Sequence, residues 1–139
     1  MYDAVEREMP DRVFHLGDHL SDAEDLSNAF PELDFLYVPG NCDFGAQAPA
    51  SVLTEAGGYR MFLTHGHLFG VKSDLTRLKL EARRTGADIA LFGHTHIPCC
   101  VQEDGLWLLN PGACSSLRPS YGLILIENGG ISCEIRGFD

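Results

Sequence analysis

The sequence is poor in positive charge: 10 Lys and Arg stand against 20 Asp and Glu, a formal charge of −10. That balance repels nucleic-acid phosphates and anionic membrane surfaces, so neither is expected as a partner. Long hydrophobic runs are also lacking. The longest, such as Leu123–Ile126, are strand-sized, far short of the roughly twenty residues that cross a bilayer. Nothing near Met1 resembles a signal or transit peptide, since the first residues are acidic and without an apolar core. None of the five cysteines (Cys42, Cys99, Cys100, Cys114, Cys133) is in a CxxC pair, which argues against a zinc knuckle or a dithiol redox motif. Their odd number reads as free thiols in a reducing compartment, and the expected location is cytoplasmic. Repeats, low-complexity tracts and linkers are absent.

What is present is an ordinary globular composition. The 139 residues are 45% hydrophobic and 22% charged, enough for a single domain over 1–139 with its own core. A short helical piece over the first nine residues is predicted to end at Pro10. Arg12–Leu16 reads as a buried strand. Ser21 followed by Glu24 has capping-box spacing, which predicts a helix from Asp22 to Ala29. Asp34–Val38 is the next strand, and Gly57-Gly58 predicts a hairpin joining Ser51–Glu55 to Arg60–Thr64. Ser73 is the expected cap of a helix with Leu75, Leu78 and Ala82 on one face and Gly86 as its stop. A buried strand at Asp88–Phe92 follows, and then three strand-like pieces with turns at Asp104-Gly105, Asn110-Pro111-Gly112 and Asn128-Gly129-Gly130. Alternating elements early and hairpins late predict a layered α/β domain with a mixed sheet.

Four of these strands end alike, in an apolar run followed by a glycine-flanked polar cluster: GDH (Gly17–His19), GNCD (Gly40–Asp43), HGH (His65–His67) and GHTH (Gly93–His96). If the strands lie side by side, their carboxyl ends share one crevice, where Asp18, Asn41, His65, His94 and His96 converge. Singly, each cluster reads as a strand-ending turn or a half-buried histidine pair. Together they hold five of the six histidines, each cluster after a predicted strand, which packing does not explain. Imidazole, carboxylate and amide donors suit a divalent transition metal such as Mn, Fe, Zn or Ni better than calcium or magnesium.

In this order the four motifs resemble those of the calcineurin-like metallophosphoesterases, and most closely the small bacterial and archaeal phosphodiesterase branch. That branch includes the eukaryotic retromer subunit homologue. The resemblance runs from Asp11 to the C-terminus and takes in the NPG turn at Asn110–Gly112. It implies a mixed-strand, four-layer α+β sandwich flanked by helices. It also implies two divalent ions, Mn²⁺ foremost, with Asp18 bridging them. Asn41, His65 and His94 would complete the second site, and His96 would ligate the first. In-line attack by metal-bound hydroxide on a small phosphodiester would follow, with Asp18, Asn41 and His65 at the reaction centre.

The chain departs from the family pattern in three places. Cys42 stands where larger relatives carry a histidine assigned general-acid work, and here it reads as a filler. Asp43 orients a ligand or simply stabilises its loop. His19 and His67 belong near the metals without an assigned role, and Arg118 reads as an exposed turn residue. Third, the family opens with a strand ending in Asp-x-His, both ligands of the first metal, and no such motif is found in this chain. Met1–Glu8 resembles the latter half of the helix that follows that motif. The fold is therefore expected in N-terminally truncated form, with backbone and apolar surface exposed beside the vacated strand. A homodimer is compatible with this if a neighbouring chain covers that position. The rival to an enzyme is a non-catalytic scaffold of the same fold.

Overall fold

The computed structural model describes residues 1–18, 20–41, 43, 50–113 and 118–137. The chain begins with α1 (Tyr2–Glu8), which ends where Met9 turns left-handed at φ 49°, one residue ahead of Pro10. Strand β1 (Arg12–His15), helix α2 (Leu20–Ala29) and strand β2 (Asp34–Tyr37) form a β-α-β unit with β1 parallel to β2. The hairpin β3 (Ser51–Ala56) and β4 (Tyr59–Thr64) turns through Gly57 and Gly58, both at positive φ. That pair of left-handed residues is the turn whose twist matches two antiparallel strands. A single 3-10 turn (His67–Phe69), helix α3 (Thr76–Arg84) and strand β5 (Ile89–Leu91) follow. The last strands are β6 (Cys99–Glu103), β7 (Leu106–Asn110), β8 (Ser120–Glu127) and β9 (Gly130–Gly137), four where the sequence suggested three.

Neither serine expected from the sequence stands at a helix cap. Helix α2 starts at Leu20, so Ser21 lies inside its first turn. Helix α3 starts at Thr76, and Asp74 Oδ1, not Ser73, accepts the Thr76 N–H at 3.0 Å. The C-terminal stop at Gly86 stands as expected. Gly86 is at φ 74°, its N–H meets Arg83 O, and the Ala87 N–H meets Ala82 O, the paired bonds of a Schellman cap.

The central sheet has strand order β3-β4-β5-β7-β6, with β4, β5 and β7 mutually parallel and both edges antiparallel. Side-chain alternation splits the core into two layers. Phe62, Ala90 and Leu108 face Leu78 and Ala82 of α3. Met61, Leu63, Ile89, Leu91 and Leu109 face the opposite way, toward Phe14, Leu36, Ile124 and Ile135 of a second β layer. That layer consists of two separate two-stranded sheets, β1-β2 and β8-β9. Among the described residues β1 pairs only with β2 and β8 only with β9. The apolar floor beneath is nevertheless closed, with Ile89 and Leu91 buried.

Polar ties hold the two β layers in place. Arg12 pairs with Asp34 and donates to Thr54 Oγ1 and Glu55 O on β3. Tyr59 donates to Gly129 O at the β8–β9 turn. Helix α1 is fastened to β8 and β9 through Glu8, which accepts from Tyr121 and from Arg136. Cys99, Cys100 and Cys133 are free thiols, and burial pushes Cys133 up to about 12; Cys42 and Cys114 lie outside the described residues. No helix among the described residues is long and apolar enough to cross a membrane.

Leu78 is the side chain on which the α3 layer turns, fully buried against the sheet. Leu78→Ala is expected to cost about 2–5 kcal/mol, through lost transfer energy plus a cavity. Urea denaturation reads this as a lower midpoint at unchanged slope. A loss below about 1 kcal/mol would mean that the helix–sheet layer is loosely packed.

Candidate metal centre

The four polar clusters do follow strands, but not strands of one sheet. β1 and β2 belong to one sheet of the sandwich, and β4 and β5 to the other. Their carboxyl ends meet across the sandwich, because backbone and side-chain bonds tie them there. His65 Nδ1–H donates to Leu16 O at 2.7 Å, and Gly93 N–H donates to His65 O at 2.9 Å.

Two glycines make the approach possible. A Cβ on Gly17 would stand 2.5 Å from His65 Nδ1 and 2.8 Å from Gly40 N. A Cβ on Gly40 would lie 2.2 Å from Asp18 Oδ1 and 2.5 Å from the Asp18 amide nitrogen. Gly40 also donates to Asp43 Oδ2 at 2.8 Å while Asp43 N–H returns to Gly40 O, so Asp43 locks the loop. Asp18, His94 and His96 sit at φ 61°, 69° and 60°, a conformation that costs L residues of this kind about 1–3 kcal/mol each. Such strain concentrates where side chains are aimed for function.

The centre of the site is His65 Nε2. His65 is only 2% exposed, and burial holds its imidazole below the usual range, so the ring is neutral near pH 7. With Nδ1 carrying the proton toward Leu16 O, Nε2 presents a lone pair. Facing it are Asn41 Oδ1 at 3.0 Å, His94 Nδ1 at 3.2 Å and Asp18 Oδ2 at 3.5 Å. Burial and then the neighbouring His65 lower His94 likewise. The His65–Asp18 contact is therefore no salt bridge near neutrality, despite its distance. In the tautomer that leaves His94 Nδ1 unprotonated, its lone pair and the Asn41 and Asp18 oxygens all face His65 Nε2, an arrangement that a cation among them would relieve.

The spacing fits such a cation. Ligand atoms bound at about 2.0–2.2 Å to one metal stand roughly 3.0–3.5 Å from each other. No group of three His, Cys, Asp or Glu side chains among the described residues already encircles a single point. Asn41, which such a grouping leaves out, supplies the nearest oxygen, and Asp18 stands at the outer edge. The donor set itself is that of a first-row divalent ion.

Of the five residues expected to share a metal centre, Asp18, Asn41, His65 and His94 converge. His96 is exposed and makes none of these contacts. The His67 ring stands 5.4 Å from His65 and 6.1 Å from His94, with its Nδ1 buried and unpartnered among the described residues. His19, Cys42 and residues 44–49 lie outside the described residues, and Arg118 is exposed.

One structural member escaped sequence reasoning. Asn110, fully buried, donates to Gly93 O and Thr95 Oγ1 and accepts from Gly112 N–H, fixing the loop that carries His94. Its position before Pro-Gly at the end of an apolar strand was the available signal, read only as a turn.

Comparison with known proteins gives the site a context. Residues 1–129 match the description of the calcineurin-like phosphoesterase superfamily domain. The Bacillus subtilis (strain 168) protein named "Probable metallophosphoesterase YsnB" is 34% identical over 134 residues, 93% of this chain and 75% of that protein. Phosphodiesterase YfcE of Escherichia coli (strain K12) is 37% identical over 101 residues, 63% of this chain and 50% of that protein. The crystal structure of a "predicted phosphoesterase" from Streptococcus pneumoniae TIGR4 superposes with a TM-score of 0.81 at 28% identity, covering 98% of this chain and 80% of that one.

Two measurements follow from the geometry. Below about pH 6.5 the unfolded chain protonates its imidazoles while folded His65 and His94 resist. The unfolded state then binds more protons, so the metal-free chain is expected to lose stability as pH falls from about 6.5 toward the depressed folded values. A urea midpoint that stays flat there would show that both rings protonate freely. Gly40→Ala drives a Cβ into the Asp18 backbone, and Mn²⁺ affinity is expected to fall at least about ten-fold while the circular dichroism stays native. Wild-type affinity in that variant would remove Asp18 from the ligand set.

Proposed function

Because the chain belongs to the calcineurin-like phosphoesterase superfamily, we propose that it hydrolyses small phosphodiesters using divalent metal held by Asp18, Asn41, His65 and His94. The observation that carries this reading is the convergence of three donors on His65 Nε2 within 3.5 Å. When bound, divalent cations activate water for in-line attack at phosphorus and stabilise the leaving oxygen.

The chain's own residues do the positioning. Leu16 O fixes the His65 tautomer, so that its free lone pair faces the cluster. Asp18 is the anionic member of the set and would be the residue shared by two ions, with the exposed His96, outside the contact set, as a donor to the second. Asn41 is exposed and lies on the solvent side, where an ester would enter. Mn²⁺ is the first ion to try, since the donors accept several first-row metals.

The Mn²⁺-loaded chain is expected to hydrolyse bis-(para-nitrophenyl) phosphate faster than para-nitrophenyl phosphate. Asp18→Asn should lower that turnover at least about a hundred-fold, as an anionic donor is lost from the reaction centre. Undiminished turnover in the variant would sink the assignment. The exposed His96, outside the contact set, is an observation favouring a non-catalytic scaffold. A chain that retains Mn²⁺ yet turns over neither ester would select that reading.

A further inference from the structure

The turn after the first histidine pair, His65 and His67, carries positive charge that the metal cluster does not use. Val71 is buried, and its Cγ2 lies 2.9 Å from the Cβ position of Gly66, the glycine between His65 and His67. That contact seats the turn against the site. The Ser73 and Asp74 N–H groups close it on Gly70 O at 3.0 and 3.3 Å. Lys72 rides on this turn beside Val71, near enough for its charge to act on His94. Arg77, in the first turn of α3, brings Nη1 to 3.8 Å from the Cβ position of Gly70.

Most other described cations are committed. Arg12, Arg60, Lys79, Arg84 and Arg136 pair with carboxylates. Arg83 donates to the carbonyls of Glu103 and Asp104, and Arg7 lies over the Tyr121 ring. Lys72 and Arg77 are exposed, with no hydrogen bond or ion pair among the described residues. Asp74, the nearest acid in sequence, is turned to the start of α3 by its bond to the Thr76 N–H. In a chain with twice as many acids as bases, two uncommitted cations flank one turn at the edge of the metal centre.

Resting on the phosphoesterase reading, we propose that Lys72 and Arg77 form a subsite for a second phosphoryl group of the substrate. The preferred ester then carries one phosphoryl group at the metal centre and another on the turn 70–74. An ammonium and a guanidinium suit that role, because each makes charge-assisted bonds to phosphoryl oxygens. The proposal gives the site a specificity that the metal donors alone do not supply, since metal ions grip any phosphoryl oxygen.

Non-hydrolysable probes test it. Trimethylene diphosphonate and propylphosphonate, matched in carbon chain, are titrated calorimetrically into the Mn²⁺-loaded protein. The diphosphonate is expected to bind about ten-fold tighter. Lys72→Gln and Arg77→Gln should each cut that advantage about three- to five-fold, and the double variant should remove it, with Mn²⁺ content per chain unchanged. Equal affinity for both probes in the wild type would overturn the subsite. So would an advantage that survives in the double variant, which would mean that the metals hold both phosphonates. Hydrolysis separates this from the parent reading: no turnover of bis-(para-nitrophenyl) phosphate beside an intact diphosphonate preference sinks the hydrolase and keeps the subsite.

Discussion

The structure depends on one hydrogen bond, from His65 Nδ1 to Leu16 O at 2.7 Å. It joins the carboxyl ends of β1 and β4, one from each layer of the sandwich, and in doing so it sets the tautomer of the ring. A proton fixed on Nδ1 leaves Nε2 as an acceptor, and every other group around that atom is an acceptor or a neutral imidazole nitrogen. With His94 protonated on Nε2 the fold assembles a point where lone pairs meet; with it protonated on Nδ1, that N–H donates to His65 Nε2 at 3.2 Å. Burial reinforces the choice, since it lowers the pKa values of both His65 and His94 and keeps the rings from solving the conflict by protonation.

What the rest of the fold contributes is the closeness of the loops. Gly17 removes the side chain that would hold the end of β1 away from His65, and Gly40 the one that would hold the end of β2 away from Asp18. Asn110, from the end of β7, fastens the loop of His94 from behind. The non-glycine residues at positive φ divide by role. Met9, Asp104 and Asn128 end a helix or turn hairpins, where the conformation is ordinary. His94 adopts it at the centre of a three-residue turn closed by the Thr95 N–H on Gly93 O at 2.8 Å, and Asp18 adopts it where its carboxylate meets His65. A strain of this size is sustained by the two cores below, which bury both faces of β4, β5 and β7.

Local chemistry was the legible part of the sequence. Gly57-Gly58, Asp104-Gly105 and Asn128-Gly129 all form the hairpin turns that their residue types demand, and Gly86 forms its Schellman cap. The four polar clusters were visible as strand ends, and all four deliver a side chain to His65 Nε2 or supply that atom itself. Less legible was anything decided by partners far along the chain. Ser21 and Ser73 have cap chemistry, but the helices start elsewhere because Leu78 and Ala82 set α3 against the sheet, and Asp74 is at hand. Partition of β1–β2 and β4–β5 between two sheets leaves no trace in periodicity, since strands of either sheet read alike. Asn110 is a turn residue by composition and a buried clamp only once Gly93 is beside it.

Charge explains how so acidic a chain can serve as a phosphoesterase. A formal charge of −10 would hold a phosphoester off, and Asp18 adds a carboxylate at the very centre. A cation held among the four proposed donors would reverse the local sign and relieve crowding of their lone pairs, so its binding energy would also stabilise the loops. At a hundred times its dissociation constant that linkage is worth about 2.7 kcal/mol, comparable to the strain at one or two left-handed residues. Acid works against the same loops, because protonating either imidazole removes a lone pair from the cluster. On the proposed reading metal and pH would act on one equilibrium, and the pairing of a buried neutral His65 with a carboxylate at 3.5 Å would be the metal-free form of that site.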